Sequence, residues 1–100
     1  FYAVYNSLGY GFLEKVYEKA LCLELQKKGL KCHPQQKIDV FYKGIKVGLY
    51  FADIVVEDTV IIEIKTCPII DEHEYQLLNY LKATEIEVGL LLSFGKDAKF

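Results

Sequence analysis

The stretch from Ala52 to Lys65 (ADIVVEDTVIIEIK) limits the chain more than any other. Two apolar, β-branched runs flank an acidic turn, the pattern of a buried β-hairpin. Yet Asp53, Glu63 and Lys65 stand inside those runs, where an unpaired charge is costly. Strand side chains alternate between faces, so Glu63 and Lys65 share one. Asp53 comes opposite Glu63 only across a loop of odd length, such as Glu57-Asp58-Thr59, or a bulge. A two-residue turn at Glu57-Asp58 sends it to the wrong face. The odd loop is the expectation, and with it two carboxylates and a lysine on one surface.

The rest of the chain reads as a frame for this hairpin. Phe1 to Leu8 has the helical 3.6-residue pattern, and Gly9-Tyr10-Gly11 interrupts it. A second helix is expected from Phe12 to about Lys28, its buried stripe made by Leu13, Val16, Tyr17, Ala20, Leu21 and Leu25, with Gly29 as its stop. Glu14 falls on or beside that stripe. It is read either as a first-turn glutamate favoured by the helix dipole or as a carboxylate aimed at a metal. Gln36–Tyr42 alternates as a half-exposed strand, Lys43-Gly44 turns, and Lys46–Val56 and Val60–Thr66 complete an antiparallel meander. Asp71 is a candidate N-cap for a third helix ending near Ala83, with Glu74 completing a near capping box. Gln76 and Tyr80 share one side of that helix. Val88–Phe94 is a last buried strand, and the helix before it makes this strand a candidate parallel neighbour of the third.

Composition narrows the function classes. One hundred residues make one domain, and a chain opening on Phe1 with no methionine reads as a piece cut at both ends from a longer product. No run reaches the ~20 apolar residues of a membrane span, and no leader pattern is present, so no membrane partner and a cytoplasmic setting are the defaults. Cys22, Cys32 and Cys67 share no ligand spacing and suggest neither a zinc site nor a disulfide framework. A net charge of −2 argues against a general electrostatic nucleic-acid binder, but not against an enzyme whose acidic site holds a cation. All 12 basic residues are lysine, so bidentate arginine readout of guanine is absent. His33 reads as a loop residue, and His73, three residues before Gln76, as a helix-surface residue that could approach the site.

Phosphodiester hydrolysis needs an activated water and neutralised phosphate charge. Mg2+ or Mn2+ suits Asp53, Glu63 and the backbone carbonyl of Ile64 as hard oxygen ligands, with Glu14 as a fourth. Lys65 beside them could position or deprotonate the water, or stabilise the transition state.

Gly11-Phe12-Leu13-Glu14-Lys15-Val16-Tyr17, Ala52-Asp53, Glu63-Ile64-Lys65 and Gln76 to Thr84 (QLLNYLKAT) occur in an order that resembles the GxxExxY proteins. These are similar to the PD-(D/E)XK nuclease superfamily near its RecB-like and Cas4-like branch. The resemblance spans about Leu8 to Gly95. It implies an α/β (α+β) fold, a restriction-endonuclease-like αβββαβ core with a mixed four-stranded sheet and flanking helices. It further implies a divalent metal among Glu14, Asp53 and Glu63, Lys65 as catalytic lysine, and Gln76 and Tyr80 orienting the lysine or the nucleic acid. Ala52 stands where the motif has proline, a position that ligates nothing, and the cysteine cluster of some relatives is absent. The reading is a metal-dependent nuclease, with DNA favoured over RNA as substrate. The alternatives are a non-catalytic nucleic-acid- or protein-binding module that keeps the fold, and a homo-oligomer whose ion pairs order the hairpin.

Overall fold

The computed structural model describes residues 1–99, and among these it forms three helices and four strands. Helix α1 is Tyr2–Leu8 and α2 is Glu14–Lys27. Strands β1 (Cys32–Tyr42), β2 (Ile45–Val56) and β3 (Val60–Lys65) follow, then helix α3 (Asp71–Lys82) and strand β4 (Val88–Ser93). The sheet order is β1-β2-β3-β4. The first three strands pair antiparallel and β4 runs parallel to β3, giving the mixed α+β sheet expected of the αβββαβ core.

The hairpin that closes β2 onto β3 has the odd loop. Ile54 pairs with Ile62 and Val56 with Val60, leaving Glu57, Asp58 and Thr59 between them. Glu57 and Asp58 both adopt left-handed backbone, at φ 53° and 55°. Hydrogen bonds hold them there: the Thr59 N–H donates to the Val56 carbonyl, and the Glu57 carboxylate accepts the Lys31 N–H at 2.9 Å.

Two apolar layers bury the two faces of the sheet. On one, Ile54, Val56, Ile62, Ile64, Leu92 and Phe94 meet Tyr17, Leu21 and Cys22 of α2 and Val4 of α1. On the other, Ile38, Ala52, Val55 and Ile61 meet Leu77 and Tyr80 of α3. Helix α3 comes very close to the last strand, since a Cβ built on Gly89 would stand 2.9 Å from the Leu77 side chain. Tyr17 is fully buried and stacks on Phe94 with ring centroids 4.4 Å apart. Its hydroxyl donates to the Gly9 carbonyl at 2.7 Å and accepts from the Phe12 N–H, so it fixes the loop between α1 and α2.

Of the boundaries that differ from expectation, three have clear physical reasons. Helix α2 starts at Glu14 because Leu13 is extended at ψ 154° and serves as N-cap. Strand β1 begins at Cys32, because the register with β2 continues back through Pro34 to Cys32 opposite Val56. The N-cap of α3 is Ile70 rather than Asp71, and the ring Nδ1 of His73 accepts the Ile70 N–H at 3.2 Å, so histidine takes the reciprocal bond expected of Glu74. Among the described residues no helix is long and apolar enough to cross a membrane.

Candidate active site

The site lies where the sheet opens. Pairing between β2 and β3 ends at Ile54 and Ile62, while β3 stays paired with β4 as far as Lys65 and Ser93. On the other flank of β2, the register with β1 passes from Pro34–Ile54 to Gln36–Ala52, and Gln35, held at φ 52°, drops out of the ladder opposite Asp53. Asp53 therefore sits in a gap in the ladder on both sides, and buried backbone groups need other partners.

Side chains supply them. The Asp53 carboxylate accepts the Ile64 N–H at 2.7 Å, and the Glu63 carboxylate accepts the Asp53 N–H at 3.3 Å. This reciprocal exchange replaces the missing ladder bonds and draws the two carboxyl groups together. Glu63 is only 6 % exposed. Burial, and then the Asp53 charge, push its pKa up to about 8. Lys65, two residues on and half-buried, acts the other way and favours the charged form. The arrangement strains to hold two negative charges and would be relieved by a cation or a proton.

The field of Asp53 reaches both layers. From α3, Tyr80 is buried against the ring of Tyr50 at 5.0 Å, and its hydroxyl pKa is raised to about 12 by burial and by the nearby Glu63, Tyr50 and Asp53. From α2, Glu18 is buried and has its pKa raised, chiefly by desolvation and also by Asp53, while a hydrogen bond from Gln35 at 2.9 Å opposes the shift. Gln76 is exposed and lines an open groove of about 320 Å³ with Tyr50, Tyr75, Asn79 and Tyr80.

The structure thus brings Asp53, Glu63, Lys65 and Tyr80 into one neighbourhood, and Gln76 shares an open groove with Tyr80. Glu14 is different: it stands exposed on the first turn of α2. Glu18, one turn further along, is the buried glutamate, and its carboxylate accepts the Gln35 amide and feels the Asp53 charge. The sequence signal for Glu18 was its helical neighbourhood with Tyr17 and Leu21, which also placed Glu14 near the stripe and did not separate the two. His73 is spent on capping α3, and His33 lies exposed in β1.

Among the described residues no group of three or more His, Cys, Asp or Glu side chains converges as a ready-made metal cage. The donors are the two carboxyls, each with one oxygen engaged by a backbone N–H and one left over. That set fits a small hard cation such as Mg2+, which binds through one or two carboxylates and completes its shell with water and substrate phosphate.

Neither a curated protein nor a solved structure matches the chain. The family model of the PD-(D/E)XK nuclease superfamily matches residues 1–100. The chain belongs to the PD-(D/E)XK nuclease superfamily.

Proposed function

We propose that this domain hydrolyses phosphodiester bonds of nucleic acid, with DNA favoured over RNA, and that it belongs with the GxxExxY proteins near the RecB-like and Cas4-like branch. The observation that carries the reading is the Asp53–Glu63 exchange: backbone N–H groups hold two carboxyl groups together in a buried gap beside a lysine. Structural ion pairs do not need that arrangement, whereas a cation-dependent hydrolase does.

Asp53, Glu63 and the Ile64 carbonyl would hold Mg2+ or Mn2+, which when bound supplies charge neutralisation and a water of lowered pKa. The remaining work falls to the chain. Lys65 faces the attacked phosphate and offsets the negative charge that grows there. Glu18, steadied by the Gln35 amide, keeps the α2 side of the gap polar and orients water toward Asp53. Gln76 and Tyr80 line the α3 side, where the strand enters.

The test is cleavage of labelled single- and double-stranded DNA and RNA with Mn2+ or Mg2+. Activity should require the metal and fall on the order of 10³-fold in Asp53→Asn and in Lys65→Ala, with the fold retained. Nucleic-acid binding without metal-dependent cleavage in the wild type would replace the nuclease with the binding-module reading. Glu18→Gln should cost roughly 10–100-fold and Glu14→Gln much less; the reverse order would return the helix carboxylate to Glu14.

A further inference from the structure

The site uses the carboxylates, the lysine and α3, and leaves two sulfur atoms unexplained. Cys22 lies on the buried face of α2, one turn beyond Glu18, and Cys32 opens β1, three residues before Gln35. Their Sγ atoms are in contact at 2.7 Å within the apolar layer under α2. The intervening chain is held rather than loose. The Leu30 N–H donates back to the Leu25 carbonyl, Gly29 turns at φ 82°, and the Lys31 N–H is fixed by Glu57. Cys22 is 7 % exposed, while Cys32 is half-buried and so is the sulfur a reagent can meet.

We propose that Cys22 and Cys32 are an oxidation site: a reversible disulfide that clamps α2 to the first residue of β1. Approach to an S–S bond of about 2.05 Å is within the reach of side-chain rotation. The oxidant is a low-molecular-weight disulfide such as glutathione disulfide. The Cys32 thiolate attacks one of its sulfurs, forming a mixed disulfide and releasing one small thiol. The Cys22 thiol then gives up its proton to solvent and attacks the Cys32 sulfur, releasing the second. Two protein thiols are oxidised by two electrons and one small disulfide is reduced to two thiols. Burial and the neighbouring sulfur push the Cys22 pKa up to about 12, so Cys22 serves as the resolving partner and not as the first attacker.

The clamp is nested just inside the Gln35–Glu18 hydrogen bond, with Cys22 one turn after Glu18 and Cys32 just before Gln35. Oxidation therefore fixes the α2 side of the gap beside Asp53. The inference does not rest on the nuclease reading, and its test does not measure activity.

The experiment uses the chain with Cys67→Ser, which removes the exposed third thiol. Cys67 meets its neighbour through its backbone carbonyl, which accepts the Ser93 hydroxyl at 2.7 Å, so serine preserves the contact. After equilibration with glutathione disulfide, mass spectrometry should show a monomer two hydrogens lighter, a Cys22–Cys32 linked peptide and no alkylatable thiol. Thermal unfolding should rise by roughly 10 °C and return with dithiothreitol. The added change Cys22→Ser should instead trap the glutathione adduct on Cys32. Should that variant not fold, the peptide map of the Cys67→Ser protein decides alone. Two thiols still open to alkylation, a persistent adduct on Cys32 when Cys22 is present, or an unchanged melting temperature in the bridged protein overturns the proposal.

Discussion

Strand β2 is two different strands in sequence. From Ile45 to Phe51 it pairs with β1 alone, and Ile45, Val47, Tyr50 and Phe51 are exposed, Ile45 at 69 %. From Ala52 to Val56 it is covered by helices on both faces, and Ala52 and Ile54 are fully buried. Both halves are equally apolar. What separates them is whether β3 lies alongside, and Asp53 marks the changeover. A charged side chain is tolerable there because the ladder has a gap that its carboxylate fills. The candidate site residues lie neither in the well-made sheet nor in the open ribbon, but at the seam between them.

The seam makes the comparison testable. The largest difference in stability should come from truncating one residue in each half. Ile54→Ala should cost about 2–5 kcal/mol, a large share of what a domain this size has. Ile45→Ala in the exposed half should change stability by less than about 0.5 kcal/mol. Urea midpoints compare the two directly, and equal costs would erase the distinction between the halves.

A smaller effect should appear in the pH dependence of the chelator-treated protein. The native state raises the Glu63 pKa from 4.5 to about 8, so it holds a proton that the unfolded chain has already lost. The stabilising share of that carboxyl is thus complete below about pH 4.5, and stability falls as pH rises from there to about 8. Glu63→Gln keeps an acceptor for the Asp53 N–H and removes the charge. Its melting temperature should not show that decline, and at pH 8 should match or exceed the wild type. Mn2+ should stabilise the wild type at pH 8 and leave the Gln variant nearly unmoved. A variant that loses stability with pH as steeply as the wild type would place the raised pKa elsewhere.

Much of this architecture could be read from the chain. The β2–β3 register followed from parity: with Asp53 and Glu63 both needed on one surface, only an odd loop would serve, and Glu57-Asp58-Thr59 is that loop. The mixed sheet followed from a helix standing between two buried runs. Which glutamate of α2 is buried was less legible, since Glu14 and Glu18 both adjoin the stripe of Tyr17 and Leu21. Which one turns inward depends on where α2 begins, and an extended Leu13 is not a signal that periodicity carries. The gap opposite Asp53 was hidden too, because it needs Gln35 in a left-handed conformation that glutamine rarely takes. The cysteine contact was invisible for another reason: a ten-residue separation says nothing until a helix, a turn and a strand fold it back on itself.

Gly89 has one more consequence. With a hydrogen where any other residue has a carbon, β4 lets Leu77 settle onto it, and α3 rides as low as the backbone permits. Gln76 and Tyr80 ride on the same helix, so the depth of the groove they line is set by an omitted methyl group on a neighbouring strand. Gly89→Ala should lift α3 and weaken substrate binding while sparing Asp53 and Glu63, appearing as a raised KM with little change in kcat. The clearance under a helix is a dimension of the fold in the same sense as the spacing of its carboxylates.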